Sequence, residues 1–566
     1  MDLTGTKFRV PAERYLNDPT NESCYQYLKD AYAKISADHG EYIAFITPVL
    51  QYESATSMTR LFNDIEKMAS FLASKGIKKG DVVTAFLPSC GHAFIAFYAL
   101  SKLGIISNFV HPLTPPNQLL EIMAHTKSKA LFILDLFAMP FKSVIEQYMT
   151  IVCSTSDFCD DIAYKYAKGN EMQNAPVPEH ENVVRYMDIM AMDLPAVPDA
   201  PNPGKDDAIY LHGGGTTGKS KTIIHSNFSF NSIAYSTYLY DIDHEYCKHH
   251  SLCTLPCFHA YGLGSAIHYA VCNAYQPILL PKFEPMQANE LIRKYCVTQI
   301  LGVPKMFQKL LEAPNFENEG TKNLAQLFTG GDVASNEFLD KFNAVLARNG
   351  SKGKLRRGYG LTEMGAIGTN NSHYAASRDG IGYPFPGTEV EIWDDDCNRV
   401  PAGTIGEIVL TGDTIMNGYL PDENTKESGI YTDKNGKQWI RTGDMGYADE
   451  DNCIYFNGRK KRIIIIAGYN IYPATIEQKL EKLDYLNEIC AVQGYDENGK
   501  PDVKLCVSLN DPNADKEQVE KDLLAYCRQN IEAYACPRRV EFYDLLPRTK
   551  MEKIDFVKLS DPVPGK

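Results

Sequence analysis

Residues Gly213–Ser220 read GGGTTGKS. The order glycine, four residues, glycine, lysine, serine is the spacing by which a phosphate loop wraps a nucleotide with backbone amides. Glycines let the backbone close on an anion, threonine hydroxyls add donors, and a lysine supplies charge. In a nucleoside-triphosphate hydrolase such a loop follows a strand and opens at once into a helix, whose positive end faces the β and γ phosphates. Here AIYLH before the loop reads as a strand, but SKTIIHSN after it alternates like a second strand, and a helix is expected only from Ser226 or Asn227. Asp135, after ALFIL, is a weak candidate for the metal-binding aspartate of such hydrolases. The loop reads as a phosphate holder, and a P-loop NTPase or kinase stays open as the alternative.

A second concentration of reactive groups is His244, Cys247, His249, His250, Cys253, Cys257 and His259. These are ligand types for zinc, yet their spacing matches no common finger or ribbon, so a mixture of core cysteines and surface histidines is the expectation.

Positioning such groups requires a rigid frame, and the first third supplies one. Met58, Leu61, Phe62, Ile65, Met68, Ala69 and Leu72 recur at helical spacing, Gly76 supplies a stop, and DVVTAFL follows as a buried strand. GHAFIAFYALSKLG then reads as an apolar helix, with IISNFV as the next strand. This alternation predicts parallel sheets covered by helices. Past residue 380, GTEVEIWDDD, GTIGEIVLTGDTI and KQWIRTGDMGYADEDNCIYFNGR alternate apolar and polar residues between turns, which predicts an antiparallel, barrel-like β region. After the basic run RKKR come a helix from Pro473, the strands EICAVQGY and VKLCVSLN, and a helix from about Asp515 to Ile531. The predicted fold is α/β: a large N-terminal domain over 1–461, with two βα-type sheets and the β subdomain, and a small α+β domain over 462–566.

The 566 residues exceed one ordinary core, and 44% hydrophobic with 23% charged residues is the composition of a soluble globular chain. A net charge of −14 argues against nucleic acid as a partner. With no apolar run long enough to span a bilayer and no signal-peptide pattern, the expected location is cytoplasmic, and the 15 cysteines are expected as reduced thiols.

Taken with GGDVAS from 330, GYGLTEMG from 358, RTGDMGY from 441, GRKKRIIIIAGYNIYPATIE from 458 and LPRTKMEKIDFVKL from 546, the loop resembles the adenylate-forming superfamily of acyl-CoA synthetases, luciferases and peptide-synthetase adenylation domains. LPCFHAYGL and LGVPKMFQKLL extend the resemblance, which runs from about residue 40 to the C-terminus. It implies a reaction in two halves. A carboxylate attacks the α phosphate of ATP and expels pyrophosphate; a thiol then attacks the acyl adenylate and expels AMP.

The resemblance also implies roles. Thr216, Thr217 and Gly218 hold the leaving pyrophosphate, Thr216 with a hydroxyl toward magnesium, and Lys221 rather than Lys219 is the loop lysine. Tyr359 offers an aromatic face to adenine, with Gly331, Asp332 and Gly360 giving close backbone approach. Thr362 touches the α phosphate, and Glu363 holds magnesium. Asp444 accepts from the ribose hydroxyls, and Arg459 reaches the ribose or phosphate. Lys553 is the catalytic cation of adenylation, and His259 lies at the acyl pocket. A hinge at Lys461 and Arg462 exchanges Lys553 for the segment around Gly468, past which the pantetheine of coenzyme A would run.

Several positions depart from the pattern. Glycine stands where the loop usually begins with a hydroxyl, Ser220 and Thr222 flank Lys221 in place of proline and glycine, Arg462 replaces an acidic residue, and Glu552 precedes Lys553. The implied substrates and cofactors are ATP, Mg2+, coenzyme A and a hydrophobic carboxylic acid, read as a medium- or long-chain fatty acid with an aryl or sterol-type acid as runner-up. A separate carrier protein remains open as the thiol acceptor, and a homodimer among the assemblies.

Overall fold

The computed structural model describes residues 19, 21–49, 52–158, 175–201, 204–213, 221–240, 245–372, 379–422, 429–466, 469–497, 499–549 and 554–562. The predicted early helix forms as Met58–Ser74, and the Ser57 side chain caps it by accepting from the Arg60 amide. The apolar helix forms as Gly91–Lys102. Each of its residues is buried, the state expected of a helix without a polar face.

That helix lies in the largest core, between two big sheets. In the eight-stranded sheet the order is Gly418–Tyr419, Lys221–Ser226, Asp207–Gly213, Ile106–Phe109, Val82–Phe86, Ser128–Leu134, Met149–Cys153, Val183–Arg185. From Asp207–Gly213 onward its neighbours are parallel, whereas Lys221–Ser226 and Gly418–Tyr419 add antiparallel at one edge. The nine-stranded sheet runs Tyr383–Pro384, Thr369–Asn370, Lys354–Tyr359, Gln326–Thr329, Gln299–Gly302, His250–Cys253, Gln276–Leu279, Ile43–Val49, Tyr52–Ser57. Its members from Lys354–Tyr359 to Ile43–Val49 are parallel, so their carboxyl ends share one rim. Residues of both sheets join the same core as the helices Cys24–His39, Gly91–Lys102 and Asn227–Tyr240.

Inside this layer the segment Tyr261–His268 is π-helical. Its last residue is tied on both sides of the ring: His268 Nδ1 lies 2.9 Å from the Tyr98 hydroxyl, and Nε2 lies 3.0 Å from Asn231 Oδ1. Burial pushes His268 down to about 3, so the imidazole is neutral.

The predicted β region is a five-stranded antiparallel sheet made of Thr388–Trp393, Gly406–Gly412, Ile430–Thr432, Gln438–Ala448 and Ile454–Arg459. The small C-terminal domain has its own apolar cluster. Its helices Pro473–Leu480, Lys516–Asn530 and the short Phe556–Leu559 lie beside a three-stranded sheet of Leu486–Tyr495, Pro501–Leu509 and Arg539–Phe542. Among the described residues no helix is long and apolar enough to cross a membrane.

Candidate active site

The strand after the glycine loop decides its class. Asp207–Gly213 and Lys221–Ser226 pair antiparallel, with Gly213 opposite Lys221 and His212 opposite Thr222, and the helix begins only at Asn227. A P-loop needs a helix start directly behind its lysine, so phosphoryl transfer by that device is excluded here. Residues Thr216, Thr217, Gly218 and Lys219 lie outside the described residues, as do Gly468 and Lys553.

At the carboxyl rim of the nine-stranded sheet two predicted segments meet. GGD follows Gln326–Thr329, and the turn after Tyr359 follows the neighbouring parallel strand Lys354–Tyr359. A side chain at Gly330 would come within 3.2 Å of the Gly358 carbonyl, Gly331 has φ +79°, and Asp332 folds back to accept from the Val333 amide at 2.9 Å. Gly360 is required by closeness: a Cβ there would stand 2.2 Å from the Ala366 carbonyl oxygen. The chain turns so tightly because Thr362–Met364 forms one 3-10 turn, closed by Gly365 donating to Thr362 at 3.0 Å. From behind, His225 Nε2 donates to the Thr362 carbonyl at 2.7 Å.

The antiparallel sheet brings Asp444 and Arg459 to this turn. They are direct partners across Gln438–Ala448 and Ile454–Arg459, and Arg459 Nε lies 2.7 Å from Asp444 Oδ1. The Tyr359 hydroxyl donates to Asp444 Oδ2 at 2.7 Å. Burial, reinforced by this carboxylate, holds the Tyr359 phenol well above its usual range, so it stays a donor. Asp444 is 2% exposed whereas the Arg459 side chain is 55% exposed, so the carboxylate is fixed and the guanidinium faces outward.

On the other flank, Gly418–Tyr419 pairs with Lys221–Ser226, placing Tyr419 opposite Ile223. The Lys221 ammonium sits 4.3 Å from the Tyr419 ring centre. The Tyr419 hydroxyl donates to Glu363 Oε1 at 2.8 Å. Lysine, tyrosine and glutamate from three separate segments thus form one chain of contacts. Sequence reasoning does not single out Tyr419; its only signal is an aromatic residue between Gly418 and Leu420 at the end of a β region. Glu363 fits a magnesium ion in kind, since one carboxylate oxygen is oriented by Tyr419 and oxygen is the donor that hard cations prefer.

His259 stands two residues before Tyr261, with its ring edge-on to Phe258 at 4.9 Å. Tyr261 reaches the rim, donating to the Phe328 carbonyl at 3.3 Å. In the histidine–cysteine stretch, Cys253 and Cys257 are core residues and burial pushes Cys253 up to about 12. No group of three or more metal-ligating side chains gathers among the described residues, and His244 lies outside them.

Comparison with known proteins gives the family of this fold. A family model described as AMP-binding enzyme matches residues 33–420, and one described as AMP-binding enzyme C-terminal domain matches 475–553. The chain belongs to the AMP-binding enzyme family. It is 29% identical over 521 residues to a long-chain-fatty-acid–CoA ligase of Bacillus subtilis (strain 168), covering 90% of each chain. To 4-coumarate–CoA ligase 1 of Solanum tuberosum it is 27% identical over 501 residues, 86% of this chain and 85% of the relative. The crystal structure of a benzoate CoA ligase from Burkholderia xenovorans LB400 shares the fold with TM-score 0.77 at 20% identity, over 95% of this chain and 100% of that one.

Proposed function

We propose that this AMP-forming acid–CoA ligase activates a hydrophobic carboxylic acid, in first place a medium- or long-chain fatty acid. The supporting observation is the pair of contact chains on one rim, Tyr359–Asp444–Arg459 and Lys221–Tyr419–Glu363, joined through the turn Tyr359–Glu363. One chain centres on a buried carboxylate suited to a ribose, and the other has a cation at one end and a carboxylate at the other, suited to phosphates with magnesium.

In the first half-reaction the acid's carboxylate oxygen bonds to the α phosphorus of ATP as the bond to the pyrophosphate oxygen breaks, giving acyl-AMP and pyrophosphate. Both reactants are anions, so the site must offset charge and hold them in line. We assign Asp444 to the ribose hydroxyls, Tyr359 with Gly331, Asp332 and Gly360 to the base, Arg459 to ribose or phosphate, and Thr362 to the α phosphate. Thr216, Thr217, Gly218 and Lys221 hold the leaving pyrophosphate. Magnesium, held by Glu363 and the Thr216 hydroxyl, would screen the phosphate charge. Lys553, on the small domain 462–566, bridges the two anions, and His259 borders the acid. In the second half the sulfur of coenzyme A bonds to the acyl carbon, the acyl–phosphate bond breaks, and AMP leaves; the hinge at Lys461 and Arg462 replaces Lys553 by the segment of Gly468 for this step.

The fatty-acid reading rests on the Bacillus relative; an aryl acid is the second reading, favoured by the 4-coumarate relative. A cytoplasmic setting suits cysteines that are free wherever described, and a homodimer remains part of the proposal. The test is incubation with ATP, magnesium, coenzyme A and a panel of fatty, aryl and sterol-type acids. Pyrophosphate, AMP and acyl-CoA should form fastest with a fatty acid. Release of phosphate and ADP would overturn the reaction, and a faster aryl acid would overturn the substrate class.

A further inference from the structure

The strand carrying Lys221 buries polar side chains that have named partners. Residues 222–226, Thr-Ile-Ile-His-Ser, are all buried, so neither face is marked by polarity, and Ile223 and Ile224 are adjacent and identical. Apolar patterning normally sets strand register, because a slip by one residue turns every side chain to the opposite face. A slip that put Thr222 in the place of Lys221 beside Tyr419 would put Ile224 in the place of Ile223, but also His225 in that of Ile224, at the cost of its bond to the Thr362 carbonyl.

A polar clasp opposes the same slip at the end next to Lys221, where His212 and Thr222 are cross-strand partners. Asn108 Nδ2 donates to the Thr84 hydroxyl at 2.9 Å, which orients the amide so that Oδ1 faces His212. His212 Nε2 lies 2.8 Å from that oxygen and must be the donor. The opposite nitrogen, Nδ1, is then an acceptor, and the Thr222 hydroxyl lies 3.2 Å from it. Burial pushes His212 down to about 4, which keeps the acceptor lone pair at neutral pH. Thr84 is itself bonded at 2.7 Å to Ser128, and Ser128 at 2.9 Å to Thr126, so the clasp is anchored across the sheet. Thr222 stands where the resemblance leads one to expect glycine, which has no hydroxyl.

We propose that Thr222 and His212 are positioning residues that fix the register of Lys221–Ser226 and thereby hold the Lys221 ammonium over the ring of Tyr419, whose hydroxyl bonds Glu363. This rests on the assignment of Lys221 to the nucleotide phosphates. The test compares wild type with Thr222→Val, which keeps shape and removes the donor, and with Thr222→Ser, which restores it. In acid-dependent pyrophosphate release, Thr222→Val should raise KM for ATP by about tenfold with KM for the acid unchanged, and Thr222→Ser should return it to within about twofold. Hydrogen exchange of the free protein should show faster exchange across 221–226 in Thr222→Val alone. Unchanged exchange in Thr222→Val overturns the clasp, whatever the enzyme's substrate. Faster exchange with KM for ATP unchanged overturns its role for Lys221. Absence of pyrophosphate release by wild type with any acid would instead overturn the assigned reaction and leave the exchange result to decide the clasp.

Discussion

Asp444 shows how one side chain can carry a binding role that its neighbours prepare. Tyr359 donates to one of its oxygens and the Arg459 guanidinium lies 2.7 Å from the other, so the carboxylate is held in place before any ribose arrives. Replacing it by asparagine removes the charge and, with the amide oxygen kept toward Arg459, turns the other acceptor into a donor facing the Tyr359 hydroxyl. Hydrogen bonds to charged groups contribute about 1.5–3 kcal/mol, so Asp444→Asn should raise KM for ATP by roughly ten- to a hundredfold. Steady-state kinetics at saturating acid would check this, and an unchanged KM would remove Asp444 from the nucleotide site. Asp444, Arg459, Glu363 and Lys221 were legible because each is fixed within a short string of letters. Tyr419 was not, because its part depends on a strand pairing between residues nearly two hundred positions apart.

The turn between Tyr359 and Glu363 binds the two halves of the site into one rigid piece. Its tightness comes from the 2.2 Å gap that only a hydrogen fills at Gly360. Adding a methyl group there must push the Ala366 backbone away, so Gly360→Ala should destabilise the protein by about 1–3 kcal/mol in urea unfolding, the usual cost of overpacking. The same shift should lower kcat/KM for ATP, since Tyr359 and Glu363 move with the turn. A variant with wild-type unfolding and kinetics would show that the turn yields freely. The helix Met58–Ser74 was readable from its periodicity, because it buries one face, whereas Gly91–Lys102 and Val82–Phe86, buried all round, were readable as continuous apolar runs. The π-helical stretch Tyr261–His268 was not: its extra residue per turn is imposed by packing and by the ties of His268, and leaves no period in the letters.

For the molecule as a whole, two buried histidines pull stability in opposite directions with pH. His92 carries a raised pKa of about 9; burial opposes this, but its bond to Asp157 at 2.9 Å outweighs burial. Folding therefore binds its proton more tightly than the unfolded chain does. The contribution is complete below about pH 6.5 and is lost as pH rises toward 9. His268 is held near 3, so the unfolded chain takes up a proton that the fold refuses, and stability falls as pH drops from about 6.5. Each group changes stability by up to about 1.4 kcal/mol per pH unit within its window. Urea midpoints measured from pH 5 to 9 should peak near pH 6.5, and His92→Gln should flatten the alkaline side; a midpoint that rises steadily to pH 9 would refute the His92 assignment. None of this was visible in the sequence, where His92 and His268 stand in apolar runs without a marker for their partners. The burial of sulfur has a practical result of its own. Of the described cysteines only Cys296 is exposed, with Cys247, Cys397 and Cys536 half-covered and the others inside. Among the described cysteines, a thiol reagent added to the native protein should label Cys296 first, the half-covered Cys247, Cys397 and Cys536 more slowly, and the buried ones only as the fold opens. The chain thus carries its own unfolding gauge, one that mass spectrometry can read position by position without an added dye.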